Sequence, residues 1–206
     1  LSVTGLIEKE RLLAKGGMQP GDVIIITKPV GTGTLFAAEM RGKAKGRWIV
    51  EAIDCMLVSN HRAAQCLYQY DVHSCTDITG FGVLGHLLEM VRAAEADITI
   101  DLNALPLLDG AVETIALGIF SSLQPSNVRL RRAVKNLQAA AQHPFYPLLF
   151  DPQTSGGLLA TVPENHAGTC ITELQRLGYP HACAVGRVHA RSDALESVYI
   201  DVDGTH

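Results

Sequence analysis

No two cysteines in this chain are spaced as Cys-x-x-Cys, and the five present (Cys55, Cys66, Cys75, Cys170 and Cys183) are odd in number. That pattern argues against a disulfide framework or a structural zinc site and suits a reducing, cytoplasmic setting. There is no apolar run long enough to span a bilayer and no signal-peptide pattern, so membrane insertion is not expected. A Gly-x-Ser-x-Gly elbow is missing, Gly31-x-Gly33 lacks the third glycine of a dinucleotide fingerprint, and the Gly-Lys-Ser/Thr of a P-loop does not occur. Charge of either sign is not in excess: a net charge of −4 leaves no field to draw nucleic acid or an anionic membrane. The one basic cluster, Arg129, Arg131, Arg132 and Lys135, is spaced around a helix between Val128, Leu130, Val134 and Leu137, as a solvated face would be.

The chain has 206 residues, 47% of them hydrophobic, enough to bury a core in one domain with an added arm. It opens at Leu1 and reads as a piece of something longer, with residues 1–20 an arm or linker and 21–206 a domain. The arm carries a short helical pattern over 5–15. Residues 22–27 are a continuous β-branched run, as in a strand buried on both faces. Helical spacing predicts helices over 34–41 and 48–70, the second broken near Ser59-Asn60, with a mobile basic loop at 41–47. Further helices are expected from Val83, within 105–118 beginning near Leu108 or Asp109, from an Asn127 cap to Gln142, and over 164–177; strands are expected over 70–75, 96–102, 158–162, 182–188 and 197–202. The irregular alternation implies a layered α+β domain.

Two stretches concentrate polar groups and glycines. Cys75-Thr-Asp-Ile-Thr-Gly-Phe-Gly82 places Asp77 where a strand ends, with Thr76, Thr79, Gly80 and Gly82 around it before a helix. A carboxylate there, followed by exposed backbone amides, can serve a metal ion and phosphate oxygens together. Capping of the helix by Asp77 or Thr79 explains the same residues. His73-Ser-Cys75-Thr-Asp77 could form a chelate along one strand face, although no fourth ligand suggests itself. His86 reads either as a base or as a hydrogen-bonded core histidine. In Asp151-Pro-Gln-Thr-Ser-Gly-Gly157 an acid, an amide, two hydroxyls and two glycines fall in seven residues. This is either a second phosphate-side loop or a structural turn. Whether Asp77 and Asp151 meet as a carboxylate pair is not readable from sequence. The best unaided reading is an anion site built from both loops, with Asp77 a magnesium ligand. One carboxylate does not complete such a site, so a second contributor is implied.

Cys75-Thr-Asp-Ile-Thr-Gly-Phe-Gly-Val-Leu-Gly-His86 and Asp151-Pro-Gln-Thr-Ser-Gly-Gly-Leu-Leu159 resemble signatures of the selenophosphate synthetase (selenide, water dikinase) family. Thr27-Lys-Pro-Val-Gly-Thr-Gly33 is similar to a third, and Met56, Asn60, Ala63-Ala64 and Leu105-Pro-Leu-Leu-Asp-Gly110 also match in order. The resemblance implies the carboxy-terminal half of a two-domain enzyme that makes selenophosphate, AMP and phosphate from selenide, ATP and water, with Mg2+. The implied fold is a three-layer α/β/α domain with a mixed sheet, like the carboxy-terminal domain of aminoimidazole ribonucleotide synthetase. The implied partners are selenide, ATP and an amino-terminal domain that supplies the nucleophile, an essential Lys and most ATP contacts, within a homodimer. The family's metal aspartate from this half falls on Asp77. The loops holding Thr79, Gly80 and Gly82 and holding Thr154, Ser155 and Gly156 stand on the phosphate side. No catalytic residue is implied in this chain, and none of its cysteines takes the nucleophile's place. The isolated piece is expected to fold and be inactive. A regulatory or binding module of the same fold, or another ATP-dependent enzyme of the superfamily, is the alternative, separable by the residues upstream of Leu1. One departure is the loop Ser121-Ser-Leu-Gln-Pro-Ser-Asn127, which keeps the family's asparagine but not the glycines before it.

Overall fold

The computed structural model describes residues 5–204. Val23-Ile-Ile-Ile26 forms the first strand, β1 (Val23–Ile26), buried along its whole length. Helices α1 (Thr32–Met40), α2 (Gly46–Leu57) and α3 (His61–Gln69) follow, the last two separated at Val58–Asn60 as their spacing predicts. Next come β2 (Ser74–Asp77), α4 (Gly82–Ala94), β3 (Ala96–Asp101) and α5 (Ala111–Ala116). Two four-residue helices, α6 (Gln124–Asn127) and α7 (Leu137–Ala140), precede β4 (Leu158–Val162), α8 (Glu164–Arg176), β5 (Cys183–Ala190) and β6 (Val198–Asp201).

The six strands form one mixed sheet in the order β2-β4-β1-β5-β3-β6. All neighbours are antiparallel except β3 and β6, which run parallel. Alternation along β1 sends Ile24 and Ile26 to one face, where they meet Val83, Leu84 and Leu87 of α4. Val23 and Ile25 go to the other face, against Cys66 and Leu67 of α3 and Cys170 and Leu174 of α8. Helices on both faces of a sheet give the expected three layers. A satellite cluster of Leu35, Trp48, Ala52 and Leu108 ties α1 to α2 at the side.

Two expectations fail and a third shifts, each for a physical reason. The arm forms only a 3-10 turn at Lys9–Arg11. Leu6, Ile7 and Leu12 stay exposed, so no packing offsets the cost of starting a helix. The Arg-rich helix from Asn127 to Gln142 is not continuous: Val128–Ala133 is a 3-10 helix and the chain then extends. Val134 leaves the helical path to bridge Val198, and the Lys135 amide donates to the Val198 carbonyl. The helix expected from near Leu108 or Asp109 starts a little later, at Ala111, and ends at Ala116 as α5, because Leu107 first bridges Val30. No helix among the described residues is long and apolar enough to cross a membrane, and all five cysteines are free.

Candidate functional site

Antiparallel pairing of β2 with β4 sets Asp77 opposite Leu158, so the end of the first motif meets the end of the second. The ladder continues past the strands: the Ile78 amide donates to the Gly157 carbonyl at 2.9 Å, and the Gln153 amide to the Thr79 carbonyl at 3.0 Å. Close approach explains two of the glycines. A side chain on Gly156 would run into the Ile78 carbonyl. One on Gly82, which sits at φ +68°, would run into the backbone of Leu149 to Asp151.

The second motif also folds over the start of α1 and so draws in the third motif, residues 27–33. Gln153 Oε1 accepts the amides of Gly31 (3.0 Å) and Thr32 (3.2 Å) and lies 3.1 Å from the Thr32 hydroxyl. Asp151 Oδ2 accepts the Gly33 amide at 3.1 Å, and Gln153 Nε2 donates back to the same oxygen at 3.0 Å. The first amides of a helix need acceptors, and here the chain supplies them itself. Gly31 and Gly33, on either side of the α1 start, therefore serve an internal dock. Lys28, buried at 4% exposure, completes the interlock by donating to Val58 O (2.5 Å) and Ser155 O (3.1 Å). Asn60 donates to Gly156 O.

Asp151 is fully buried, and its Oδ1 has no partner among the described residues. Burial pushes its carboxyl up to about 7, against the lowering effect of the Thr34 and Gly33 amides and Gln153. Because the folded value lies above the unfolded one, near 3.8, the folded state holds the extra proton between the two. Stability is then greatest below about pH 4 from this group and falls as pH rises towards 7, by on the order of 4 kcal/mol. Unfolding temperature is expected to fall from pH 5 to pH 8, and Asp151→Asn to remove most of that slope. An unchanged slope in the variant shows that another group carries it.

Asp77 has the opposite environment. Its side chain is exposed at the strand end and makes no hydrogen bond or ion pair among the described residues. It neither caps α4, whose N-cap position is Phe81 with no side-chain cap, nor pairs with the buried Asp151. Thr79 does not cap either: its amide donates to His86 Nε2 at 3.0 Å, and its hydroxyl lies 3.1 Å from the same nitrogen. His86 is thus the core histidine of the two readings. Burial holds it below its usual value, and a neutral ring accepting at Nε2 carries its proton on Nδ1, 3.4 Å from Glu89. The chelate imagined along His73, Cys75 and Asp77 is not formed. His73 Nδ1 bonds Asp22 at 2.9 Å, and burial first, then Asp77, pushes the Cys75 thiol up to about 12. Among the described residues no group of three or more metal-type side chains gathers. Cys170 is likewise pushed to about 12 and Cys183 to about 11 by burial, so neither is poised as a nucleophile.

Two amides remain. Every peptide bond among the described residues is trans, so the Gly80 N–H points opposite the Thr79 carbonyl and the Phe81 N–H opposite the Gly80 carbonyl. The Thr79 carbonyl is held by the Gln153 and Gly82 amides. The Gly80 carbonyl is held by Asn127 Nδ2 at 2.8 Å, which also reaches Phe150 O at 3.0 Å. Both N–H groups are therefore fixed in direction, and neither has an acceptor among the described residues. Asn127, read from sequence as a cap, is the side chain that sets one of them. Nothing in its spacing signals this, because both partners are backbone carbonyls distant in sequence.

Beside these amides runs an open groove of 540 Å³, lined among others by Gly80, Thr154, Gln153, Ser121, Ser122 and Arg41. Of the phosphate-side residues named from sequence, Gly80 and Thr154 line it, whereas Thr79, Gly82, Ser155 and Gly156 do not. Ser155 is exposed at φ +48°.

Residues 19–196 match the family described as AIR synthase related protein, C-terminal domain. A selenide, water dikinase of Clostridioides difficile is 37% identical over 202 residues, covering 96% of this chain and 57% of that protein. One from Pelobacter propionicus is 40% identical over 201 residues, covering 98% and 57%. The chain thus spans little more than half the length of these curated relatives. Among solved structures, a hydrogenase maturation protein HypE superposes with a TM-score of 0.67 at 19% identity over 93% of this chain and 52% of that one. A thiamine-monophosphate kinase from Stenotrophomonas maltophilia gives 0.66 at 14% identity over 95% and 54%. At these identities the structural likeness concerns the fold alone.

Proposed function

The chain belongs to the AIR synthase related family as its C-terminal domain, and from that premise we propose that it is the carboxy-terminal half of a selenophosphate synthetase. The whole enzyme would transfer phosphoryl groups from ATP, giving selenophosphate from selenide with AMP and phosphate as the other products. The observation that carries this reading is the near-complete match, at 37% and 40% identity, to proteins named selenide, water dikinase. The geometry supports a definite share of the work for this half.

Phosphoryl transfer asks a protein for position and charge more than for covalent chemistry. Asp77 fits one ligand of Mg2+: it is an exposed carboxylate with no competing partner among the described residues, and magnesium commonly takes one or two protein carboxylates. The other ligands would come from the amino-terminal half and from phosphate. Bound there, the ion would neutralise charge on phosphate oxygens. The fixed amides of Gly80 and Phe81 would donate to an anion, and Thr154 would offer a hydroxyl across the groove. Thr79, Gly82, Ser155 and Gly156 would shape these loops. Residues 1–20 would link the two halves, and the intact enzyme would be a cytoplasmic homodimer.

The test is an assay of the full-length protein with ATP and selenide, followed by phosphorus NMR. AMP, phosphate and selenophosphate are expected only when selenide is present, and this chain alone is expected to give none. Selenide-independent turnover, or ADP as the end product, overturns the reading.

A further inference from the structure

Asn127 closes α6 and is buried at 6% exposure. Its Nδ2 carries two hydrogens, and both are spent: one on Gly80 O at 2.8 Å, one on Phe150 O at 3.0 Å. The first acceptor lies in the first motif, and the second stands one residue before the second motif. One carboxamide thus staples together the two loops whose strands pair at Asp77 and Leu158. It cannot turn without orphaning a carbonyl, and leaving a polar group unpaired is costly.

What the staple fixes is a peptide plane. The Gly80 carbonyl and the Phe81 N–H are opposite ends of one trans peptide, so a bond to the first aims the second. Nothing stands within 4 Å of where a side chain on Gly80 would begin, and the groove runs past this residue. The segment that carries Asn127 also walls that groove. The Asn127 amide donates to Leu123 O at 3.4 Å and the Gln124 amide to Ser121 O at 3.1 Å, and Ser121 and Leu123 both line the groove. A donor held in place this way needs no reorganisation when negative charge develops beside it.

We propose that Asn127 is a positioning residue for phosphoryl transfer, acting through the Phe81 amide, which it aims at a phosphate oxygen. The inference rests on the functional reading above and assigns that reading a residue with a separate test.

The experiment is steady-state kinetics of the full-length protein with ATP, selenide and magnesium, comparing Asn127→Ala with Gln124→Ala. Gln124 is the matched control: it begins the same helix, is 4% exposed and donates its Nε2 to Pro147 O at 2.8 Å, with no bond to the first motif. Both variants are expected to lower the unfolding temperature. Only Asn127→Ala is expected to lower kcat, by at least about tenfold, a part of the roughly hundred- to thousandfold lost when a preset donor is deleted outright. The magnesium concentration for half-activity is expected to stay at the parent's value, because Asp77 is untouched. Asn127→Ser keeps one donor for two acceptors, is expected to fall between, and carries the comparison if the alanine variant does not fold. With an active parent, equal kcat in the Asn127 and Gln124 variants overturns the inference alone. A raised magnesium requirement in the Asn127 variants does the same, since it shows that the whole loop has collapsed. A parent without selenide-dependent turnover overturns the functional reading, and this inference with it.

Discussion

Asp77→Asn in the full-length protein lowers ATP turnover by at least about a hundredfold, the scale seen when one preset charge-stabilising group is lost from a transition state. The folded state is expected not to notice. The carboxylate is exposed and makes no hydrogen bond or ion pair among the described residues, so the isosteric change belongs with surface substitutions that move stability within about 0.5 kcal/mol. The contrast between lost turnover and an unmoved unfolding curve is the signature of a ligand to an ion. A titration with magnesium sharpens it, because a weakened site shifts the concentration needed for half-activity upward. Normal turnover in Asp77→Asn would mean that Asp77 does not hold the metal.

Gln153→Ala is the opposite case, a large loss of stability from a side chain whose carboxamide is spent on bonds within the fold. Removing its carboxamide leaves the buried amides of Gly31 and Thr32 without their acceptor and takes one donor from Asp151 Oδ2. Each orphaned buried group costs about 1–3 kcal/mol, so a total of about 3–5 kcal/mol is expected. For a domain of this size that corresponds to a fall in unfolding temperature of roughly 10 °C. Differential scanning calorimetry on Gln153→Ala beside Thr154→Ala makes the comparison, since Thr154 is exposed and only its amide is used in the interlock. Equal losses in the two variants would show that the dock is not specific to the carboxamide.

What was legible in the sequence follows from period and composition. The β-branched run of β1, the apolar face of α4 and the interruption at Ser59-Asn60 all lie where local pattern and tertiary packing agree. The Arg-rich segment misleads because Leu130, Val134 and Leu137 keep helical spacing while Val134 and Lys135 are taken by β6. Side-chain roles were hardest to read wherever the partner is backbone from elsewhere. Gln153 serves the start of α1, Asn127 the Gly80 and Phe150 carbonyls, and His86 the Thr79 amide. Sequence could mark the three motifs as unusual and propose Asp77 as the open acid. It could not show that most of their polar groups are spent on one another, which leaves Asp77 and two adjacent amides turned outward.

The strand order has a consequence for how the chain is made. β1 lies between β4 and β5, and Leu158 donates to Thr27 Oγ1 across 131 residues. On a ribosome adding about 5–20 residues each second, Val23-Ile-Ile-Ile26 waits on the order of ten seconds before either neighbouring strand emerges. During that interval α3 and α4 can form locally, but the most apolar strand of the sheet has no edge to join. Long-range pairing of this kind slows folding and exposes the nascent chain to aggregation. The sheet that brings the three motifs together can close only once residues 158–190 have been made, so no nascent form of this chain carries the site before β4 and β5 are in place.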